Sequence, residues 1–166
     1  MCKQAPSRIA RHQAINDVTA RAITAAGVPV TKEPVGLARL DGKRPDGLTL
    51  IPWQGGKPLT WGVTVVSTLA DSYLHSTSHS ADSAAETASN RKETKYSSLR
   101  PDFIFQPVAM ETLGPLNASA LNFLSEVGRQ LTSLSGDSRE TSFFPAPLNA
   151  HTALQLCSDY GLLLFL

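Results

Sequence analysis

The segment Lys43-Arg44-Pro45-Asp46-Gly47 holds the residues best suited to chemistry. A carboxylate at the start of a strand, held by a preceding proline, is a rigid place to hang a metal ligand. Pro-Asp is also a common turn dipeptide, so the segment alone leaves both readings open. His75 and His79 have the i, i+4 spacing of two zinc ligands on a helix. They stand in a Ser-rich stretch with no third ligand nearby, and read as solvated loop histidines. Trp53 and Trp61 flank a turn and read as core rather than as platforms for stacking bases. Cys2 and Cys157 lie at opposite ends of the chain. They make neither a disulfide framework nor a zinc site, and suit a reducing compartment.

The elements that must position Asp46 follow from pattern and punctuation. From Ser7 to Ala26, apolar residues at Ile15, Val18, Ala22 and Ala26 share one helical face, with Gly27 and Pro29 placed to stop the helix. Val28 to Leu37 reads as extended chain interrupted by Pro34. Leu48 to Ile51 with Trp53, and Leu59 to Val66, read as two strands around the Gln54-Gly55-Gly56-Lys57 turn, and should pair as an antiparallel hairpin. Helical character returns from Ala84 to Leu99. Phe103 to Met110 reads as a buried strand in which Pro107 indicates an edge or bulge. Asn117 is placed to cap a last helix with the stripe Leu121, Leu124, Gly128 and Leu131. The expected fold is α/β: a mixed sheet with helices packed over it, in the order αβββαβα.

Bulk properties bound the function. At 166 residues with 42% apolar content, the chain fits one soluble domain with a sizeable core. The formal charge is only +1, yet residues 1–60 hold nine Lys/Arg against four Asp/Glu. That basic front half hints at a phosphate-bearing partner, while a merely solvated face is the plain alternative. No stretch has the length of a signal peptide or a membrane span, so an intracellular protein without a membrane partner is expected. The domain is expected over residues 7–140. From Phe143 the composition becomes apolar and almost uncharged, giving an irregular tail over 141–166, as a shifted reading frame would produce.

Several phrases are more specific. RHQAIND, EPVGLARLDGKRPDGLTLIPW, GKPLTWGVTVV, KETKYSSL and QPVAMETLG resemble the endonuclease region at the C-terminal end of non-LTR retrotransposon polyproteins. That region is a branch of the restriction-endonuclease-like, or PD-(D/E)xK, nucleases. The likeness runs from about Ser7 to Glu140, without any reverse transcriptase. It implies a nuclease fold, DNA (or RNA) as partner, Mg²⁺ or Mn²⁺ as cofactor without any small-molecule cofactor, and a nuclear location if the protein functions.

The resemblance also assigns residues. The first metal-binding acid falls on Asp46. The second belongs in a Trp-Asp-Val-Thr phrase that here reads Trp61-Gly62-Val63-Thr64, so it is missing. Thr64 stands where many relatives keep a lysine, and the retrotransposon branch instead carries it in a Lys-x-x-Lys-Tyr phrase matching Lys92, Lys95 and Tyr96. Phosphodiester hydrolysis uses one or two Mg²⁺ ions held by hard oxygen ligands, and Asp46 alone would hold one weakly. Glu33 and Glu111, both in family-like phrases, are the candidates to complete the metal set. Arg8, Arg11, His12, Lys43 and Arg44 are the candidate phosphate contacts, with a plain helix-surface role as the alternative for His12. Cys2 lies where relatives end a zinc knuckle whose remainder is missing. The resemblance therefore implies an impaired endonuclease, with a non-catalytic nucleic-acid binder and an inactive remnant as alternatives.

Overall fold

The computed structural model describes residues 5–38, 42–67, 83–99, 101–112 and 116–137. The expectations for Cys2, His75, His79, Cys157 and the 141–166 tail lie outside the described residues.

Helix α1 spans Ala5–Ala25. It stops at Gly27, whose φ of +81° is the left-handed conformation that glycine adopts without a Cβ penalty. The Gly27 amide donates to Thr24 O and the Val28 amide to Ile23 O, the paired bonds that close a helix end. Its buried side includes Ile15, Ala22, Ile23 and Ala26, but also Asn16 and Thr19. Val18, expected in the stripe, is only half-buried. Thr19 satisfies its hydroxyl on Ile15 O at 2.9 Å, which removes most of the cost of burying it.

Four strands follow: β1 (Val30–Lys32), β2 (Gly47–Thr49), β3 (Leu59–Val66) and β4 (Ile104–Glu111). They lie side by side in sequence order, β1 to β3 antiparallel and β4 parallel to β3. The extended segment read over Val28 to Leu37 is divided after Lys32, where Pro34 leads into a 3-10 turn at Val35–Leu37. Helix α2 (Ser83–Tyr96) lies between β3 and β4 in the chain, and α3 (Ala118–Ser135) follows β4. Among the described residues the fold is mixed α/β, a four-stranded mixed sheet with three helices.

Strand alternation divides β3 cleanly. Leu59, Trp61, Val63 and Val65 face the main core, where they join Ile23 of α1 and Phe123, Val127 and Leu131 of α3. Trp61 is fully buried there, and Trp53 packs on Phe123 with ring centroids 5.6 Å apart. The opposite face meets α2 through a thin layer of small residues, Val66, Ala84, Ala85, Ala88 and Ala109. Phe123 and Val127 complete the α3 stripe of Leu124, Gly128 and Leu131, whereas Leu121 is only partly covered.

Strand β4 is the outer strand of the described sheet. The amides of Ile104 and Thr112 donate toward β3, to Pro58 O and Val66 O. By alternation, the backbone nitrogens of Pro107 and Ala109 face the open side. Asn117 closes that side at Ala109: Oδ1 accepts the Ala109 amide at 2.9 Å and the Asn117 amide donates back to Ala109 O. Asn117 holds the N-cap position of α3 but makes no side-chain cap bond. Glu86 of α2 accepts the Ala118 amide instead, at 2.6 Å.

Candidate functional site

Asp46 sits at the entry to β2, gripped through its backbone. Its amide donates to Trp61 O at 2.9 Å, and its carbonyl accepts the Glu33 amide at 3.0 Å and Asn16 Nδ2 at 3.3 Å. Gly47, next in the chain, is a steric requirement: a Cβ there would lie 1.9 Å from the Trp61 ring. The indole of Trp61 donates in turn to Asn16 Oδ1 at 2.8 Å. Asn16 thus ties α1 to both strands of the hairpin, and its burial among apolar neighbours is explained by two satisfied bonds.

The carboxylate of Asp46 is held as firmly. Oδ2 accepts the Val63 amide at 2.6 Å and lies 3.5 Å from Lys92 Nζ; Oδ1 lies 3.3 Å from His12 Nε2. Because the Asp46 amide reaches Trp61 and its carboxylate reaches Val63, the residue brackets Gly62 from the neighbouring strand. Burial alone would raise the Asp46 pKa. The hydrogen bond from His12, the charges of Lys92 and His12, and the Val63 amide outweigh burial and hold the carboxyl below its ordinary range. Burial pushes the Lys92 ammonium below its ordinary range, and Asp46 offsets only part of that shift.

Gly62 faces α2. A Cβ built there would lie 3.0 Å from Phe105 Cζ, 3.2 Å from Lys92 Nζ and 3.3 Å from Lys92 Cδ. Lys92 therefore reaches Asp46 in close contact with the point where a side chain at position 62 would begin. Tyr96, one turn further along α2, donates its hydroxyl to Arg44 O at 2.8 Å and packs its ring on Phe105, centroids 4.7 Å apart. Lys95 places its ammonium over the Tyr96 ring at 4.9 Å.

Of the residues singled out in the sequence, the structure brings together Asp46, Lys92 and His12 around Gly62. Arg44 is at the rim, exposed and paired with Glu33; Lys43 and Arg11 are exposed, and Arg8 lies in the first turns of α1. Glu33 is beside Asp46 in the backbone, yet its carboxylate is turned to Arg44. Glu111 is four rungs from Gly62 along the β3–β4 ladder, about 13 Å at strand rise. It is 2% exposed, and its Oε1 accepts the amides of Ala84 and Ala85 at the start of α2. Asn16 and Gly47 carry the site without having been singled out. The signal for Asn16 was its position four residues after His12, one helical turn further along the same face.

The donor set bears on the metal that the resemblance implies. A Mg²⁺ ion takes six oxygen ligands at short range, commonly one or two carboxylates with phosphate and water. Here one carboxylate converges, its oxygens already engaged by an amide, an imidazole and an ammonium. Among the described residues no group of three or more His, Cys, Asp or Glu gathers. As they stand, these side chains do not fit a divalent metal. No described helix is long and apolar enough to cross a membrane. Set against known families and curated proteins, the chain matches no family profile and no curated protein significantly.

Proposed function

We propose that the domain is a restriction-endonuclease-like nuclease of the non-LTR retrotransposon kind, disabled at its metal site by glycine at position 62. One observation carries this reading. Asp46 and Lys92, 46 positions apart in the chain, meet at 3.5 Å beside a glycine whose absent side chain would point at the lysine. An aspartate restored at 62 would give two carboxylates and a lysine from three separate elements at one point, which is the set such a nuclease uses. DNA is the proposed partner, RNA the lesser one, and the protein would act in the nucleus.

The test is cleavage of supercoiled and branched DNA in Mg²⁺ or Mn²⁺ by three proteins: the native chain, Gly62→Asp, and Asp46→Ala with Gly62→Asp. Cutting by Gly62→Asp alone is the expected result. If none cuts although all are folded, the nuclease assignment loses its support. If the native chain also cuts in an Asp46-dependent way, another carboxylate completes the site and the domain is not disabled.

A second reading, a binder without catalysis, is favoured by the exposed Lys43, Arg44 and Arg11 near the site. It requires affinity for DNA that weakens steeply with salt, since each neutralised phosphate releases a counterion. An inactive remnant shows neither cleavage nor salt-sensitive binding.

A further inference from the structure

We infer that Lys92 is a built-in cation: its ammonium holds the position from which a divalent metal would contact Asp46, and the native site excludes that metal. The inference rests on reading Asp46 as the former metal-binding acid. Lys92 Nζ stands 3.5 Å from Asp46 Oδ2, and both side chains are largely buried. Its stem and ammonium lie 3.2 to 3.3 Å from where a Cβ on Gly62 would be. The other oxygen of Asp46 faces His12, and Oδ2 also takes the Val63 amide. Both oxygens of this carboxylate thus already face donors.

The chemistry of the two cations makes them exclusive. A divalent ion needs lone pairs converging at about 2.1 Å, and an ammonium offers three protons and none. The lysine also repels a second positive charge, strongly where water is scarce. One ammonium neutralises one carboxylate, so the site is complete without an ion. Glycine at 62 removes the second acid and leaves the lysine unhindered beside the first, where a side chain would begin in tight contact with it.

Removing the lysine should therefore create a metal site rather than destroy one. We would measure melting temperatures of the native chain, Lys92→Met, and Lys92→Met with Asp46→Asn, with and without Mn²⁺. The methionine keeps the stem and removes the charge. With Mn²⁺ at about 5 mM, Lys92→Met should gain roughly 3 °C, and the native chain and the double variant nothing. No gain in Lys92→Met, or a gain in the native chain that Asp46→Asn abolishes, overturns the inference. Should Lys92→Met fail to fold, Mn²⁺ titration of the native chain and Asp46→Asn by electron paramagnetic resonance decides it. Equal binding by the two supports the built-in cation, and extra binding by the native chain overturns it. That second outcome would leave the nuclease reading intact, whereas a folded Gly62→Asp that does not cut sinks the nuclease reading whatever Mn²⁺ does.

Discussion

Asp46 and Glu111 are both carboxylates set at the ends of strands in the same sheet, and the structure uses them in opposite ways. Glu111 is sealed at the α2 end of β4 and spends one oxygen on two backbone amides. A helix start offers unpaired N–H groups and a favourable dipole, so the acid there is a structural cap. Asp46 takes only one amide and is otherwise met by side chains from α1 and α2. Backbone donors are fixed and cannot be exchanged. Side-chain donors can titrate, swing away or be replaced by a ligand. Burial of a carboxylate is therefore no mark of a site; the kind of partner is.

The contrast can be broken at Glu111 first. Glu111→Ala leaves two buried amides without an acceptor and should cost about 3 kcal/mol by urea denaturation. Glu111→Gln keeps an acceptor and should recover at least half of that. Equal losses from the two would mean that charge, rather than capping, is what matters there. Next comes Asn16, which serves the Asp46 end: Asn16→Ala removes the acceptor of the Trp61 indole and a donor to Asp46 O, and should cost about 2 kcal/mol. A change near zero would show that these bonds are exchanged for water without loss.

The smallest effect is in acid. Asp46 has its pKa below the ordinary 3.8, so its native partners stabilise the fold above that value. This contribution is lost as pH falls from about 3.8 through the lower folded-state value, because the unfolded chain takes up the proton first. Stability of Asp46→Asn should accordingly fall less steeply than that of the native chain below pH ~4, with the two curves parallel at neutral pH. Parallel curves throughout would remove the electrostatic description of the site.

What the sequence discloses depends on how local the determinant is. Although α2 ends at Tyr96, three residues before the expected Leu99, the β2–β3 hairpin, the α1 stop at Gly27 and the starts of α2 and α3 are written in short-range punctuation and are legible. So is Trp61 as core, since alternation along Leu59–Val66 assigns its face. Asn16 and Thr19 are not, because a binary pattern expects polar residues outside, and for Asn16 it cannot see partners 30 and 45 positions away. The same limit hides the capping role of Glu111, whose amides lie at the start of α2, 26 and 27 positions away, and that of Asn117, which turns inward to Ala109 and Ser89 instead of capping α3. The meeting of Asp46 with Lys92, 46 positions apart, is likewise beyond such local punctuation. Neither composition nor periodicity places a helix lysine at the mouth of a hairpin.

The outer side of β4 has a bearing on how the protein behaves in a crowded solution. An uncovered strand normally offers a row of free amides on which another chain can build, the first step toward aggregates. Here Pro107 has no proton to offer and the Ala109 amide is already held by Asn117. Two adjacent outward positions on the strand are thus silenced, one by covalent chemistry and one by a side chain. At these two positions the edge offers no amide on which a second chain could build.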